Sequence, residues 1–137
     1  MVLYIGAEEP LPLLAWDESS PAFHVQDLDS QVLAVRRQLA VPHVYYAGSH
    51  QGCGCGFQLG EYPDPNDEEA PANRESLRQL ADYVEAQIAV GNRLQFFACW
   101  SGDEAAVAEH RRVVKVGDLR SDAFYFLEKE ASCFVVA

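Results

Sequence analysis

Positive charge is scarce in this chain. Ten Lys and Arg residues stand against 21 Asp and Glu, a formal net charge of −11. Nucleic acids and anionic membrane surfaces both demand clustered cations, so neither is expected as a partner. The one basic cluster, His110-Arg111-Arg112 with Lys115, reads as a solvated edge. Long apolar runs are missing too, and none approaches the roughly 20 residues that span a bilayer. The opening Met1-Val2-Leu3-Tyr4-Ile5-Gly6 has no basic stretch and no long apolar stretch, so it does not read as a signal peptide. A cytoplasmic protein with reduced thiols is the resulting expectation. Three chemical signatures are also lacking: a phosphate-cradling glycine loop, a Gly-x-Ser-x-Gly elbow and a Cys-x-x-Cys pair.

What remains is enough for a fold. The 137 residues, 49% of them hydrophobic, suit a single domain over 1–137 with a core that needs no disulfide or metal staple. Met1 to Ala7 reads as a strand. Glu8 to Pro21 holds three prolines and reads as irregular. Phe23 to Leu28 alternates apolar and polar residues, as a half-buried strand does, with His24 turned to solvent. Asp29 or Ser30 can cap a helix to about Ala40, buried through Val32, Leu33, Val35 and Leu39 and stopped by Pro42.

His43 to Ala47 is a strand leading into the loop at Gly48. Leu59 to Asn73, with its prolines and acids, reads as an exposed loop. Ser76 and Gln79 fit a capping box that starts a helix, and Gly91 ends it at Val90. Leu94 to Trp100 is apolar on both faces, as a covered central strand would be. Val113 to Val116, Phe124 to Leu127 and Cys133 to Val136 complete the strands, the last two as a hairpin. The fold class is therefore α+β: a mixed sheet of about six strands with two principal helices, containing one β-loop-α-β unit.

The densest chemistry is the run Gly52-Cys53-Gly54-Cys55-Gly56-Phe57, which holds two of the four cysteines. If the strands on either side of the crossover are parallel, both end on one sheet edge, where ligand sites in α/β sheets gather. Cys53 and Cys55 would then share a ligand site with Trp100, Ser101 and Asp103. On a flat strand two such cysteines would lie about 6.6 Å apart at Cα. Both a disulfide and a shared metal need the sulfurs closer, so the loop must curl. Gly52, Gly54 and Gly56 permit a curl because each tolerates positive φ.

Three functions follow. The first is a binding domain for a soft metal, zinc or copper, with Cys53, Cys55, His50 and Cys99 as ligands. The second is a thiol redox enzyme or sensor cycling a Cys53–Cys55 disulfide, with His50 lowering one thiol pKa. The third is a structural or interaction role, since cysteine is often a small buried hydrophobe. Cys99 and Cys133 read first as core filling. No catalytic residue is assigned by these patterns.

The stretch Val44-Tyr45-Tyr46-Ala47-Gly48-Ser49, the Gly-Cys-Gly-Cys-Gly-Phe run, and then Ser76-Leu77 with Leu80 resemble a family of small bacterial proteins of unknown function that carry that signature. Leu3-Tyr4-Ile5 with Leu11-Pro12 is similar as well. The resemblance spans most of the chain. It implies a cytoplasmic bacterial domain and supplies no activity, cofactor or partner.

Overall fold

The structure is a computed structural model and describes residues 1–59, 64 and 66–135, with no side-chain description for 134 and 135. Six strands form one mixed sheet: β1 (Val2–Ala7), β2 (His24–Asp27), β3 (His43–Gly48), β4 (Leu94–Cys99), β5 (His110–Lys115) and β6 (Glu130–Val135), in the order β2-β3-β1-β4-β6-β5. Two helices are α-helical, α1 (Ala70–Ala89) and the single turn α2 (Val116–Leu119). Two more are 3-10 helices, Ser30–Gln38 and Gly54–Phe57. Among the described residues no helix is long and apolar enough to cross a membrane.

β1 runs antiparallel to both β3 and β4, so those two strands point the same way with β1 between them. The β-loop-α-β unit is thus split by the first strand. Val2 pairs with Cys99 and Leu3 with Ala47, which puts the start of β1 and the ends of β3 and β4 on one edge.

Strand alternation divides the core in two. Leu3, Ile5, Phe96 and Ala98 face α1, where they meet Leu77, Leu80, Ala81 and Val84. Tyr4, Val44, Phe97 and Cys99 face the first 3-10 helix through Val35 and Leu39. Asp29 caps that helix by accepting from the Gln31 amide at 2.9 Å. The expected α-helix is replaced by the tighter form. Val32 leaves helical geometry (φ −117°, ψ 15°), and β-branched Val32 and Val35 are poor helix residues. Leu33 points outward, 42% exposed.

Four further expectations are corrected. Helix α1 begins at Ala70, with Pro71 in its first turn, where a missing amide costs nothing. Ser76 therefore lies inside the helix and caps nothing, and Gln79 donates to Glu75. Residues Phe124 to Leu127 form no strand: Phe124, Phe126 and Phe96 stack edge to face instead. β6 has no hairpin partner there, because it lies antiparallel to β4 and parallel to β5. Trp100 falls just past β4 and is 56% exposed, so the central strand is apolar on both faces only to Cys99. The expected strand end at Val136, and Gly60 to Pro63 with Pro65 of the expected loop, lie outside the described residues.

His24 is the last correction. It is buried, not solvent-facing, and its ring lies 4.9 Å from that of Trp16. A Cβ on Gly48, its partner in β3, would sit 1.9 Å from the His24 ring. The alternation of β2 is unchanged. What covers its outer face is the proline-rich segment, tied down by a bridge between Leu14 and Val25.

Candidate functional site

The cysteine loop is built around Ser49, which is wholly buried at the end of β3. Its hydroxyl donates to the Cys53 carbonyl at 2.7 Å and accepts from the Gly56 amide at 3.1 Å and the Gln51 amide at 3.2 Å. Its own amide donates to the Cys53 carbonyl at 2.8 Å. One serine thus satisfies the loop's inward polar groups and closes residues 49–53 into a tight turn. Tyr46 adds a hydrogen bond to the Gly52 carbonyl at 2.6 Å. Phe57, fully buried against Phe23, anchors the far end.

The glycines act differently from the sequence expectation. Only Gly52 takes positive φ (84°). Gly54 and Gly56 are needed for space. A Cβ on Gly54 would come 3.1 Å from the Leu3 amide nitrogen, and one on Gly56 would come 2.4 Å from the Ser49 hydroxyl. The loop curls because it lies directly on β1 and β3.

Cys53 and Cys55 are the first residues of this curl. Cys53 is the N-cap of the second 3-10 helix, and its sulfur accepts from the Cys55 amide at 3.3 Å. Both thiols are free and partly exposed. The Cys55 sulfur also lies 3.3 Å from the Met1 amino group. Burial, then the Cys55 side chain, push the Cys53 thiol up. Burial opposes ionisation of Cys55 as well, but the Cys53 side chain and the Met1 amino group outweigh it and hold that thiol below its ordinary range. Tyr46 senses both sulfurs: burial and then the two cysteines raise its phenol to about 12. The arrangement is an asymmetric pair, with Cys55 the better thiolate and Cys53 the better thiol.

His50 turns away from this pair. Its amide donates to the Ser76 hydroxyl at 3.1 Å, its Nδ1 lies 2.8 Å from the same oxygen, and its Nε2 lies 3.5 Å from Glu69. Cys99 is fully buried in the cluster with Tyr4 and Phe97, and burial followed by Glu104 and Asp103 raises its thiol to about 12. Among the described residues no three or more His, Cys, Asp or Glu side chains can hold a metal ion together. Compared with protein-family models, curated proteins and solved structures, the chain matches none.

Trp100, Ser101 and Asp103 leave the same sheet edge as the cysteines. The Asp103 amide bonds back to the Trp100 carbonyl at 3.0 Å, and Gly102 bonds to Glu104 at 2.9 Å. Glu104 in turn accepts from the Tyr4 hydroxyl at 2.9 Å, which pins the turn to the sheet. Among the described residues, no hydrogen bond or ion pair joins this turn to Cys53 or Cys55. Ser49, Tyr46 and Ser76 carry the site's geometry in roles that the sequence does not reveal. Ser49, directly before the glycine-rich run, offered a signal, since serine commonly bonds the backbone of a turn.

Proposed function

We propose that the chain is a small thiol–disulfide redox domain whose working pair is Cys55 and Cys53, acting in a reducing compartment such as the cytoplasm. The observation that carries this reading is the curl itself, which sets the Cys53 sulfur on the Cys55 amide with both thiols partly open to solvent. The opposite displacement of the two thiols supports the division of labour. A thiolate is the attacking species in exchange, and a resolving thiol beside it completes the cycle.

The substrate class is an external disulfide, R–S–S–R′. The Cys55 thiolate attacks one sulfur, a Cys55–S–R bond forms, and R′–S⁻ leaves and takes a proton from water. Cys53 then gives its proton to water and attacks the Cys55 sulfur. The Cys53–Cys55 bond forms, and R–S⁻ departs and is protonated. Two electrons pass from the dithiol to the substrate, which becomes two thiols.

A soft metal ion competes for the same two sulfurs. Zinc ordinarily takes four protein ligands in a structural site, and His50 and Cys99 stand elsewhere. The redox reading therefore uses the geometry more fully.

Equilibration with glutathione at graded ratios of disulfide to thiol, followed by mass spectrometry, tests the proposal. Wild type should lose two hydrogens and give a Cys53–Cys55 cross-link, while Cys53→Ser should hold glutathione on Cys55. Thiols that stay reduced throughout and form no mixed disulfide would end the redox reading. Stoichiometric copper(I) or zinc binding by such an unreactive pair would establish the metal reading instead.

A further inference from the structure

The sheet carries a second recess, on the opposite side from α1. The first 3-10 helix covers β1, β3 and, through Phe97, Cys99 and Ala131, part of β4 and β6, but it ends at Gln38 and leaves the β5 edge of that face open, with Val113 exposed. A groove of about 400 Å³ lies there, bounded by Gln38 to Ala40 on one side and by β5 on the other. Its floor follows from strand register. Gln95 pairs with Cys133, Cys133 with Val113, and Ala131 with Arg111, and paired residues present their side chains to one face. Leu39, Ala131 and Val113 supply apolar surface; Gln95, Cys133 and Arg111 supply the polar groups.

Arg111 is the decisive residue. Most cations of this acidic chain are already committed: Arg74, Arg78, Arg93, Arg112, Arg120 and Lys129 each have an acidic partner. Arg112 also borders the groove, but its guanidinium lies on the other face with Glu130, the Tyr125 carbonyl and the Phe124 ring. Among the described residues Arg111 has no ion pair. Lys115, on the same strand face, has none either, and Arg36 and Arg37 in the last turn of the 3-10 helix are likewise unpaired among the described residues. Of these four uncommitted cations, Arg111 is the one that lines the groove. The volume is that of a small-molecule site, and an apolar lining with few polar groups is the usual composition of one.

We propose that this groove binds a small organic anion, a carboxylate on an apolar body, with Arg111 pairing the carboxylate and Leu39, Ala131 and Val113 contacting the body. A guanidinium is suited to this because its parallel N–H groups match a carboxylate. The site lies on the face opposite α1 and stands whether or not Cys53 and Cys55 exchange disulfides.

The test is a titration of the full chain with 3-phenylpropanoate, followed by backbone amide chemical shifts, with uncharged 3-phenylpropanol as the parallel probe. Saturable shifts are expected at Arg111 to Val113, Ala131 to Cys133 and Gln38 to Ala40. The alcohol should bind at least about tenfold more weakly, and so should the acid to Arg111→Gln, a substitution on an exposed side chain. Arg93→Gln, remote and ion-paired to Glu8, should bind as wild type does. Absence of saturable shifts in these segments, equal binding of the alcohol, or undiminished binding to Arg111→Gln would overturn the proposal.

Discussion

Two buried ionisable residues give the fold a pH dependence that can be assigned residue by residue. Burial lowers the pKa of His24, whose Nδ1 has no hydrogen-bond partner among the described residues. The unfolded chain therefore takes up the proton first, at about 6.5, and stability should fall as pH drops through that value toward the lower folded pKa. Denaturant melts between about pH 5.5 and 7 should show this slope, and His24→Gln should flatten it. Trp16, stacked edge-on against the ring, is a direct reporter: its fluorescence should be quenched with a midpoint below 6.5. A midpoint at or above the free-histidine value would contradict the burial account.

Glu130 has the opposite sign. Burial raises its carboxyl despite Arg112 at 2.8 Å, so its contribution is complete below the unfolded pKa and is lost as pH rises toward the folded one. Neither residue was legible in sequence. His24 meets Trp16 from a segment with no periodicity, and Glu130 meets Arg112 and the backbone of Leu127, in a stretch that reads as a strand and folds as a loop.

At the scale of elements, β1, β3 and β4 are where their apolar, β-branched and aromatic residues put them, and β2 is where the alternation of Phe23 to Leu28 puts it. The helix start was misplaced because Ser76 and Gln79 match a capping pattern, while Pro71 marks the true first turn. The misreading concealed a function for Ser76, whose hydroxyl takes the His50 amide and holds the end of the loop against α1. The cysteine loop depends on fit more than on glycine's freedom at φ. Gly56→Ala should therefore cost about 1–3 kcal/mol, as overpacking does, because the Ser49 hydroxyl and the His50 ring stand where the methyl group would go. Ser49→Ala should cost a similar ~1–3 kcal/mol by leaving the Gly56 and Gln51 amides without their acceptor. Gly52→Ala meets no atoms within 4 Å and carries only the strain of a positive φ. Thermal denaturation of the three variants should rank Gly52→Ala as the mildest.

At the scale of the molecule, one topological choice assembles the site. β1 lies between β3 and β4 and antiparallel to both, so the chain's first residues meet the cysteine loop and the turn after β4 on a single edge. The sequence supported a shared edge for the two parallel strands; it could not show the strand that separates them, because pairing across about 90 residues leaves no local pattern. That edge gathers Cys53 and Cys55 but leaves Cys99 sealed in the core, so among the described residues the four expected ligands are not brought together.

Joint action of the two loop sulfurs is tested most directly by the pH profile of alkylation with iodoacetamide, read separately at Cys53 and Cys55 by peptide mass spectrometry. Cys55 should react first and level off below the ordinary thiol range, with Cys53 trailing above it, and Cys53→Ala should move the Cys55 profile upward. Two superimposed, ordinary profiles, with Cys55 indifferent to the loss of Cys53, would contradict it.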